Sequence, residues 1–134
     1  MSSDHYELAA CGNGSSGVPV ELIILSDNPA VLRVKIGSNK ARDFTGVDLF
    51  DCLLSVRAEL ESKNLLLCCQ GARSNVTPSG MTRQMSNGRL AYLLPPEGPI
   101  SDEDLVDIFA PADCAEVVSV ADQKVAISRV FRGS

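Results

Sequence analysis

The sequence predicts an α+β fold with a mostly antiparallel sheet, one long amphipathic helix on a face of that sheet and a second, short helix. Strand-length apolar segments, a stretch with helical periodicity, and a composition of 45% hydrophobic but only 4% aromatic residues indicate this fold with an aliphatic core. The 134 residues match the usual size of one domain. We therefore expect a single domain over residues 18–134, after a flexible N-terminal tail, residues 1–17, that ends in GNGSSG.

Two strands are predicted at the start of this domain. Residues 18–26, VPVELIILS, form an apolar run rich in β-branched residues. In residues 31–37, apolar residues alternate with Arg33 and Lys35, which is typical of a strand with one solvated face. An Asn followed by Pro29 separates the two segments and favours a turn. The two strands should therefore form an antiparallel hairpin.

The strongest helical pattern predicts a helix over about residues 46–63. Thr45 is the expected N-cap, with Asp48 three residues on as in a capping box, and Asn64 is a suitable left-handed stop. Arg57 and the charged residues after it are expected on the solvent face. The apolar residues recur at spacings of three and four: Leu49, Cys52, Leu53, Val56 and Leu60.

The second half of the chain alternates apolar segments with turn residues. Residues 65–70, LLLCCQ, are continuously apolar and predict a central strand covered on both faces. Residues 89–95, RLAYLLP, predict another strand. A short helix is expected over about residues 102–109, with Ser101 as its cap. Residues 115–131 resemble a C-terminal hairpin.

The net charge, the length of the apolar runs and the cysteine count argue against several classes of function. A net charge of −5 disfavours binding to nucleic acid or to anionic lipid, and no apolar run approaches the length that spans a membrane. The chain starts without a secretory pattern. Five cysteines, an odd number, fit a reducing compartment in which thiols act as small buried hydrophobes. We therefore expect a cytoplasmic protein that binds neither nucleic acid nor membrane.

The sequence offers little support for catalysis or for metal binding. The single histidine, His5, lies in the predicted tail, away from a nucleophile that it could activate. Cys68 and Cys69 are adjacent and would point to opposite faces of a strand, and no CxxC or HxxxH spacing occurs. We expect no catalytic residues, no metal site and no cofactor.

The segment 71–94 is basic within an acidic chain, because it holds three arginines and no acid. The arginines and glycines could form a pocket for a carboxylate or phosphate. Alternatively, the arginines pair with the eight acidic residues of segment 95–134, which could otherwise face a basic partner or simply be solvated. Predicted binding residues are Arg73, Ser79, Gly80, Met81, Arg83 and Arg89.

Residues 65–94, LLLCCQGARSNVTPSGMTRQMSNGRLAYLL, resemble a pattern of short stand-alone bacterial accessory proteins. These include immunity partners of secreted polymorphic toxins and products of mobile gene cassettes. The resemblance implies a protein that works by binding, and it transfers no catalytic residues. It marks these residues for test: Arg73, Pro78, Ser79, Gly80, Met81, Arg83 and Met85.

Three functions follow from these observations and stay open at this point. The first is a non-catalytic protein-binding module, of the immunity or accessory type, that binds a basic partner such as a toxin domain. The alternative is a small anionic-ligand-binding domain that uses the arginine-containing connection 71–89. The third is a homo-oligomer whose exposed strand edges pair. The sequence does not show whether the three arginines converge.

Overall fold

The computed structural model describes residues 4–12 and 15–132, which form eight strands and three α-helices. The predicted α+β class with antiparallel strands is confirmed. The strands are β1 (His5–Gly12), β2 (Ser15–Asp27), β3 (Ala30–Ile36), β4 (Arg42–Gly46), β5 (Leu66–Leu67), β6 (Val76–Thr77), β7 (Leu90–Leu93) and β8 (Leu105–Asp107). The helices are α1 (Leu49–Glu61), α2 (Gly80–Ser86) and α3 (Val120–Arg132).

The larger sheet has the strand order β4-β3-β2-β1-β5, and every pairing in it is antiparallel. The predicted hairpin of β2 and β3 is confirmed, with Leu22 opposite Val34 and Ile24 opposite Leu32. These four side chains are buried, whereas Arg33 lies on the exposed face, as the alternation predicts. The apolar face of this sheet forms the core together with α1, which contacts β3, β4 and β5.

Helix α1 is confirmed but begins later than predicted. Its N-cap is Asp48, whose side chain accepts a hydrogen bond from the Asp51 backbone N–H at 2.8 Å. Thr45 cannot serve as the cap because it lies in β4, opposite Val31. Asn64 is left-handed, with φ of 63°, as expected for a helix stop.

The smaller sheet has the order β6-β7-β8, with Tyr92 opposite both Thr77 and Leu105. Helix α2 lies between β6 and β7, where the sequence predicts a long connection without regular structure. It begins with a capping box in which Ser79 and Thr82 bond reciprocally to each other's backbone N–H. The usual sequence pattern of a capping box has Glu or Gln at the third helical position. This capping box does not match that pattern, because a Thr hydroxyl takes the place of the longer side chain.

The predicted flexible tail, residues 1–17, is wrong for the part that the structure describes. Strand β1 pairs with both β2 and β5, so it lies inside the larger sheet. Leu8 and Ala10 are buried, a period-two pattern that the glycine-rich segment after β1 obscures. Residues 1–3, 13 and 14 of the predicted tail lie outside the described residues.

The central strand predicted over residues 65–70 is also wrong. Only Leu66–Leu67 form a strand, β5, and it lies at an edge of the larger sheet. Residues 65–70 are apolar for another reason: the segment that follows β8 packs over them. The Gln70 N–H donates to the Ala110 carbonyl at 2.8 Å, and Cys69 forms an isolated bridge with Pro111.

The short helix predicted over 102–109 is replaced by a single 3₁₀ turn, Asp102–Asp104, followed by β8. Ser101 does cap the turn, since its side chain accepts from the Glu103 N–H at 3.3 Å. Pairing with β7 then extends the chain, so a contact between distant residues overrides the local helical preference.

The predicted C-terminal hairpin is wrong, because residues 120–132 form α3. The β-branched residues there suggested strands, but Val120, Gln123 and Ile127 follow a helical spacing of three and four. Ser119 accepts from the Asp122 N–H at 3.1 Å, an N-cap signal present in the sequence. No helix in the described ranges is long and apolar enough to cross a membrane.

Candidate binding site

A cavity of about 530 Å³ lies where α1, α2 and α3 meet. Phe50 and Leu54 come from α1, Arg83 from α2, and Gln123 and Ile127 from α3. Thr77, Pro78 and Ser79 form one wall, so the N-terminus of α2 borders the cavity. Of the predicted binding residues, Ser79, Gly80 and Arg83 therefore lie together here.

On the other side of that wall, two further cavities of about 510 and 360 Å³ adjoin at Met81. The first is bordered by Ile100 and Phe131, and the second by Met85. We call Met81, Met85, Ile100 and Phe131 the methionine surface. Their exposed fractions lie between 43% and 79%. A group of large apolar side chains at the surface is typical of an interaction site.

One acidic side chain lines the methionine surface and two more lie close to it along the chain; together they are called the acidic border. Asp102 lines the same cavity as Met81 and Met85. Glu97 and Glu103 are exposed in the same stretch of chain as Ile100 and Asp102. Within residues 4–12 and 15–132, Glu97, Asp102 and Glu103 form no ion pair. Their negative charge is therefore available to a partner.

Arg83 is anchored to the start of α1. Its Nη1 lies 2.9 Å from the Asp48 Oδ2, and its guanidinium lies 5.0 Å from the centre of the Phe50 ring. Asp48 is also the N-cap of α1, so one carboxylate joins the beginnings of α1 and α2. This ion pair fixes Arg83 at the rim of the 530 Å³ cavity.

Arg73 and Arg89 engage acids in other parts of the fold. Arg73 lies 3.4 Å from Glu116 and donates to the Gln70 side chain at 3.0 Å. Arg89 lies 3.2 Å from Asp4 and 3.8 Å from Asp107. One of the two alternatives drawn from the sequence was pairing of the arginines with segment 95–134. This holds for Arg73 and in part for Arg89, which also pairs with Asp4, whereas Arg83 pairs with Asp48. Each arginine has a different carboxylate as its partner.

Tyr6 also contacts Arg89. Its hydroxyl donates to the Asp107 Oδ2 at 2.6 Å and accepts a short hydrogen bond from Arg89. Desolvation and the hydrogen bond to Asp107 raise the pKa of Tyr6 to about 12. Because Tyr6 belongs to β1 and Asp107 to β8, this cluster joins the two sheets.

Arg57 is buried beneath the site, although the sequence assigns it to the solvent face of α1. Its exposed fraction is 1%. It donates to the Gln123 Oε1 at 2.6 Å and to the Val118 carbonyl at 2.9 Å. Burial lowers its pKa. The sequence does contain a signal for this burial. Arg57 lies four residues after Leu53 and three before Leu60, which places it on the apolar stripe of the helix.

Gln123 links this buried arginine to the connection between β5 and β6. Its amide donates to the carbonyls of Gly71 and Arg73, each at 2.8 Å, and to that of Val76 at 3.1 Å. Gln123 also lines the 530 Å³ cavity. The Arg57–Gln123 pair therefore holds the base of the site between α1 and α3.

The cysteines differ from the sequence prediction of five thiols. Cys11 and Cys114 form a disulfide across 103 residues of sequence, a separation that leaves no local pattern. Cys52, Cys68 and Cys69 are buried thiols. Cys68 lies next to the disulfide, with its Sγ 3.5 Å from that of Cys11.

His5 lies in β1 rather than in a tail, and its Nε2 is 2.8 Å from the Glu21 Oε2 on the exposed face of the sheet. With Glu7 they form a group of three side chains, of which His5 and Glu7 are exposed and Glu21 is half-buried. Exposed acidic groups of this kind are common on protein surfaces, and this group is not part of the candidate site.

Neither a protein-family model nor a curated protein matches this chain. The resemblance of residues 65–94 to immunity-type accessory proteins thus stays a prediction. The geometry of the methionine surface and its acidic border is the basis for a functional proposal.

Proposed function

We propose that this protein is a non-catalytic protein-binding module of the immunity or accessory type, which binds a basic partner protein in the cytoplasm. The observation that carries the proposal is the methionine surface with its unpaired acidic border. A basic toxin domain is the kind of partner that the resemblance of residues 65–94 implies.

The apolar part of this surface supports binding to another protein. Met81 and Met85 project from one helix, α2, and Phe131 comes from α3. Methionine side chains adapt to irregular partner surfaces, and a phenylalanine supplies a large rigid contact area. Apolar centres of this kind, excluded from water on binding, provide most of the affinity of protein interfaces.

The acidic border supports a basic partner. Glu97, Asp102 and Glu103 lie close in sequence, and the chain carries a net charge of −5. Complementary charge at the edge of an apolar contact mainly raises the association rate and selects the partner. Ion pairs at such an edge would be screened by salt.

The anionic-ligand alternative has less support. An anion pocket needs arginines that can turn toward a ligand. Arg73, Arg83 and Arg89 each have a carboxylate within 4 Å. An anionic ligand would have to displace each of those carboxylates. We therefore infer that the three arginines stabilise the connection 71–89 through these ion pairs.

The proposal is tested by affinity capture from a lysate of the source organism at low and moderate salt. The bait proteins are the wild type, a Met81→Asp/Phe131→Asp variant and a Val47→Asp control. Val47 is 88% exposed and lies outside the residues that line the three cavities. We expect one stoichiometric basic protein on the wild type and the control, and its loss on the double variant.

The captured protein is then purified for kinetics. Replacing Glu97, Asp102 and Glu103 by Gln, Asn and Gln should lower its association rate about tenfold at low salt and remove most of the salt dependence. An acidic captured protein, or equal capture by the double variant, contradicts the proposal. A wild-type dimer that the double variant abolishes would favour self-association instead.

A further inference from the structure

Three cysteine sulfurs from distant parts of the chain meet at one end of the larger sheet. Cys11 lies near the end of β1, Cys68 follows β5, and Cys114 begins a 3₁₀ turn, Cys114–Glu116. Their sulfur atoms all lie within 4.8 Å of one another. Cys11 and Cys114 share a disulfide, and the Cys68 thiol donates a hydrogen bond to the Cys11 sulfur at 3.5 Å.

This placement is that of a thiol next to a disulfide that it can attack. Thiol–disulfide exchange proceeds by attack of a thiolate on one sulfur of a disulfide, with the other sulfur leaving. A new bond between Cys68 and Cys11 would need the two sulfurs to approach by about 1.5 Å more, since a disulfide bond is about 2.05 Å long. Because all three sulfurs lie within 4.8 Å of one another, the Cys68 sulfur is not in line with the Cys11–Cys114 bond, and its side chain must turn as it approaches Cys11.

The three cysteines differ in burial, and this difference determines which sulfur becomes exposed to solvent as a thiolate after the exchange. Cys11 and Cys68 are only 8% and 7% exposed, whereas Cys114 lies at the surface. The other thiols, Cys52 and Cys69, are buried. Transfer of the disulfide from the pair 11–114 to the pair 11–68 would therefore place the leaving sulfur where solvent can reach it.

We propose that Cys11, Cys68 and Cys114 form an internal thiol–disulfide exchange site that presents Cys114 at the surface as a thiolate able to react with external disulfides. Cys68 loses its proton to solvent, and its thiolate attacks the Cys11 sulfur. The Cys11–Cys114 bond breaks and its electron pair goes to Cys114. One disulfide is lost and one is formed, so this step needs no external oxidant or reductant.

The exposed Cys114 thiolate can then attack the disulfide of an oxidised low-molecular-weight thiol. A mixed disulfide forms on Cys114, and the second half of the small molecule leaves as a thiolate. In a reducing compartment, disulfides are usually transient and catalytic or redox-sensing, which suits this site. The three cysteines are separate from the methionine surface, so this inference stands independently of the proposed partner.

Burial raises the pKa of the Cys68 thiol, and the nearby Asp113 carboxylate adds to this effect. A hydrogen bond from the Cys11 backbone opposes it, and the Cys69 thiol, itself buried, is the neighbouring titratable group. Only a small fraction of Cys68 is thiolate near neutral pH. The exchange should therefore accelerate as the pH rises.

The test uses the full chain without reductant, with iodoacetamide to trap exposed thiolates and peptide mapping to locate both label and disulfide. In the wild type we expect alkylated Cys114 together with a peptide linked through Cys11 and Cys68. Oxidised glutathione in place of iodoacetamide should give a mixed disulfide on Cys114. Both reactions should become faster at higher pH.

Cys68→Ser should lower the rate of Cys114 modification at least about tenfold, because iodoacetamide cannot react with an intact disulfide. Cys52→Ser is the matched control, since Cys52 is also a buried thiol but donates to the Ala30 carbonyl, away from the disulfide. We expect it to behave as the wild type. Cys68→Ala replaces Cys68→Ser if the latter does not fold.

Two results would overturn the inference. One is a wild-type protein in which Cys114 stays unmodified and no Cys11–Cys68 link forms. The other is equal modification of Cys114 in the wild type and the Cys68 variants. The peptide map of the wild type alone is sufficient to test for the first of these results.

Discussion

Arg57 is the largest fully buried side chain in the described part of the chain, yet its residue type favours the surface. Helical spacing places it on the apolar stripe of α1, while its charge suggests the opposite face. The Nε of Arg57 makes no hydrogen bond to any described residue and lies 3.9 Å from the Glu61 carboxylate. The structure resolves the conflict through Nη1 and Nη2, which donate to oxygen acceptors of Gln123, Val118 and Gly71. Those acceptors belong to residues far away in sequence, so they could not be identified from the sequence alone.

Replacing Arg57 by Ala should lower the free energy of unfolding by about 3 kcal/mol. The change removes hydrogen bonds from a charged donor and leaves a cavity beside the Gln123 side chain. Arg42→Ala serves as the control. Arg42 makes only surface contacts, an ion pair with Glu59 and a cation–π contact with the Phe44 ring at 5.0 Å, and its loss should cost about 1 kcal/mol. Urea denaturation measures both; equal losses would contradict the structural role of Arg57.

Tyr6 should make stability fall at alkaline pH. Its pKa is raised from 10.0 to about 12 in the folded protein, so folding favours the neutral phenol. This contribution is complete below pH 10.0 and is lost as the pH rises toward about 12. Denaturation of the wild type and Tyr6→Phe over this pH range should show a steeper loss for the wild type, and parallel curves would refute it.

At the scale of elements, local patterns decided what could be predicted. Helix α1 and the β2–β3 hairpin have strong periodicity within a short stretch, and both are confirmed. The elements β5 and β8 depend on partners that are not adjacent in the chain, and the sequence does not predict them. Strand β1 pairs with the next strand, β2, but the glycine-rich segment between them is typical of a flexible tail. Helix α3 was missed for a different reason, because its buried face contains the polar Gln123.

The capping box of α2 is the local feature that sets the direction of Met81 and Met85. Ser79→Ala should lower the free energy of unfolding by about 1 kcal/mol, and Ser79→Asp should retain most of it, because Asp also caps helices. Ser55→Ala, at an exposed position within α1, is the control and should have little effect. Urea denaturation and amide exchange in α2 measure this; unchanged exchange in Ser79→Ala would argue against the cap.

At the scale of the whole molecule, the sequence located part of the candidate site. The predicted residues Ser79, Gly80, Met81 and Arg83 all border the cavities around α2. Ile100 and Phe131 were missed, because only the packing of α3 and of the segment before β8 brings them to Met81. Three-dimensional proximity between distant segments leaves no spacing that a single sequence reveals.

The Cys11–Cys114 disulfide turns most of the chain into a closed covalent ring. A single proteolytic cut in the exposed segment 96–100 should therefore leave both fragments attached, and they would migrate as one species on a non-reducing gel. Exchange to the pair 11–68 shrinks the ring, so the same cut would then lie outside it. Nicked protein should release its C-terminal fragment only after that exchange, which makes fragment retention a direct measure of which ring is closed.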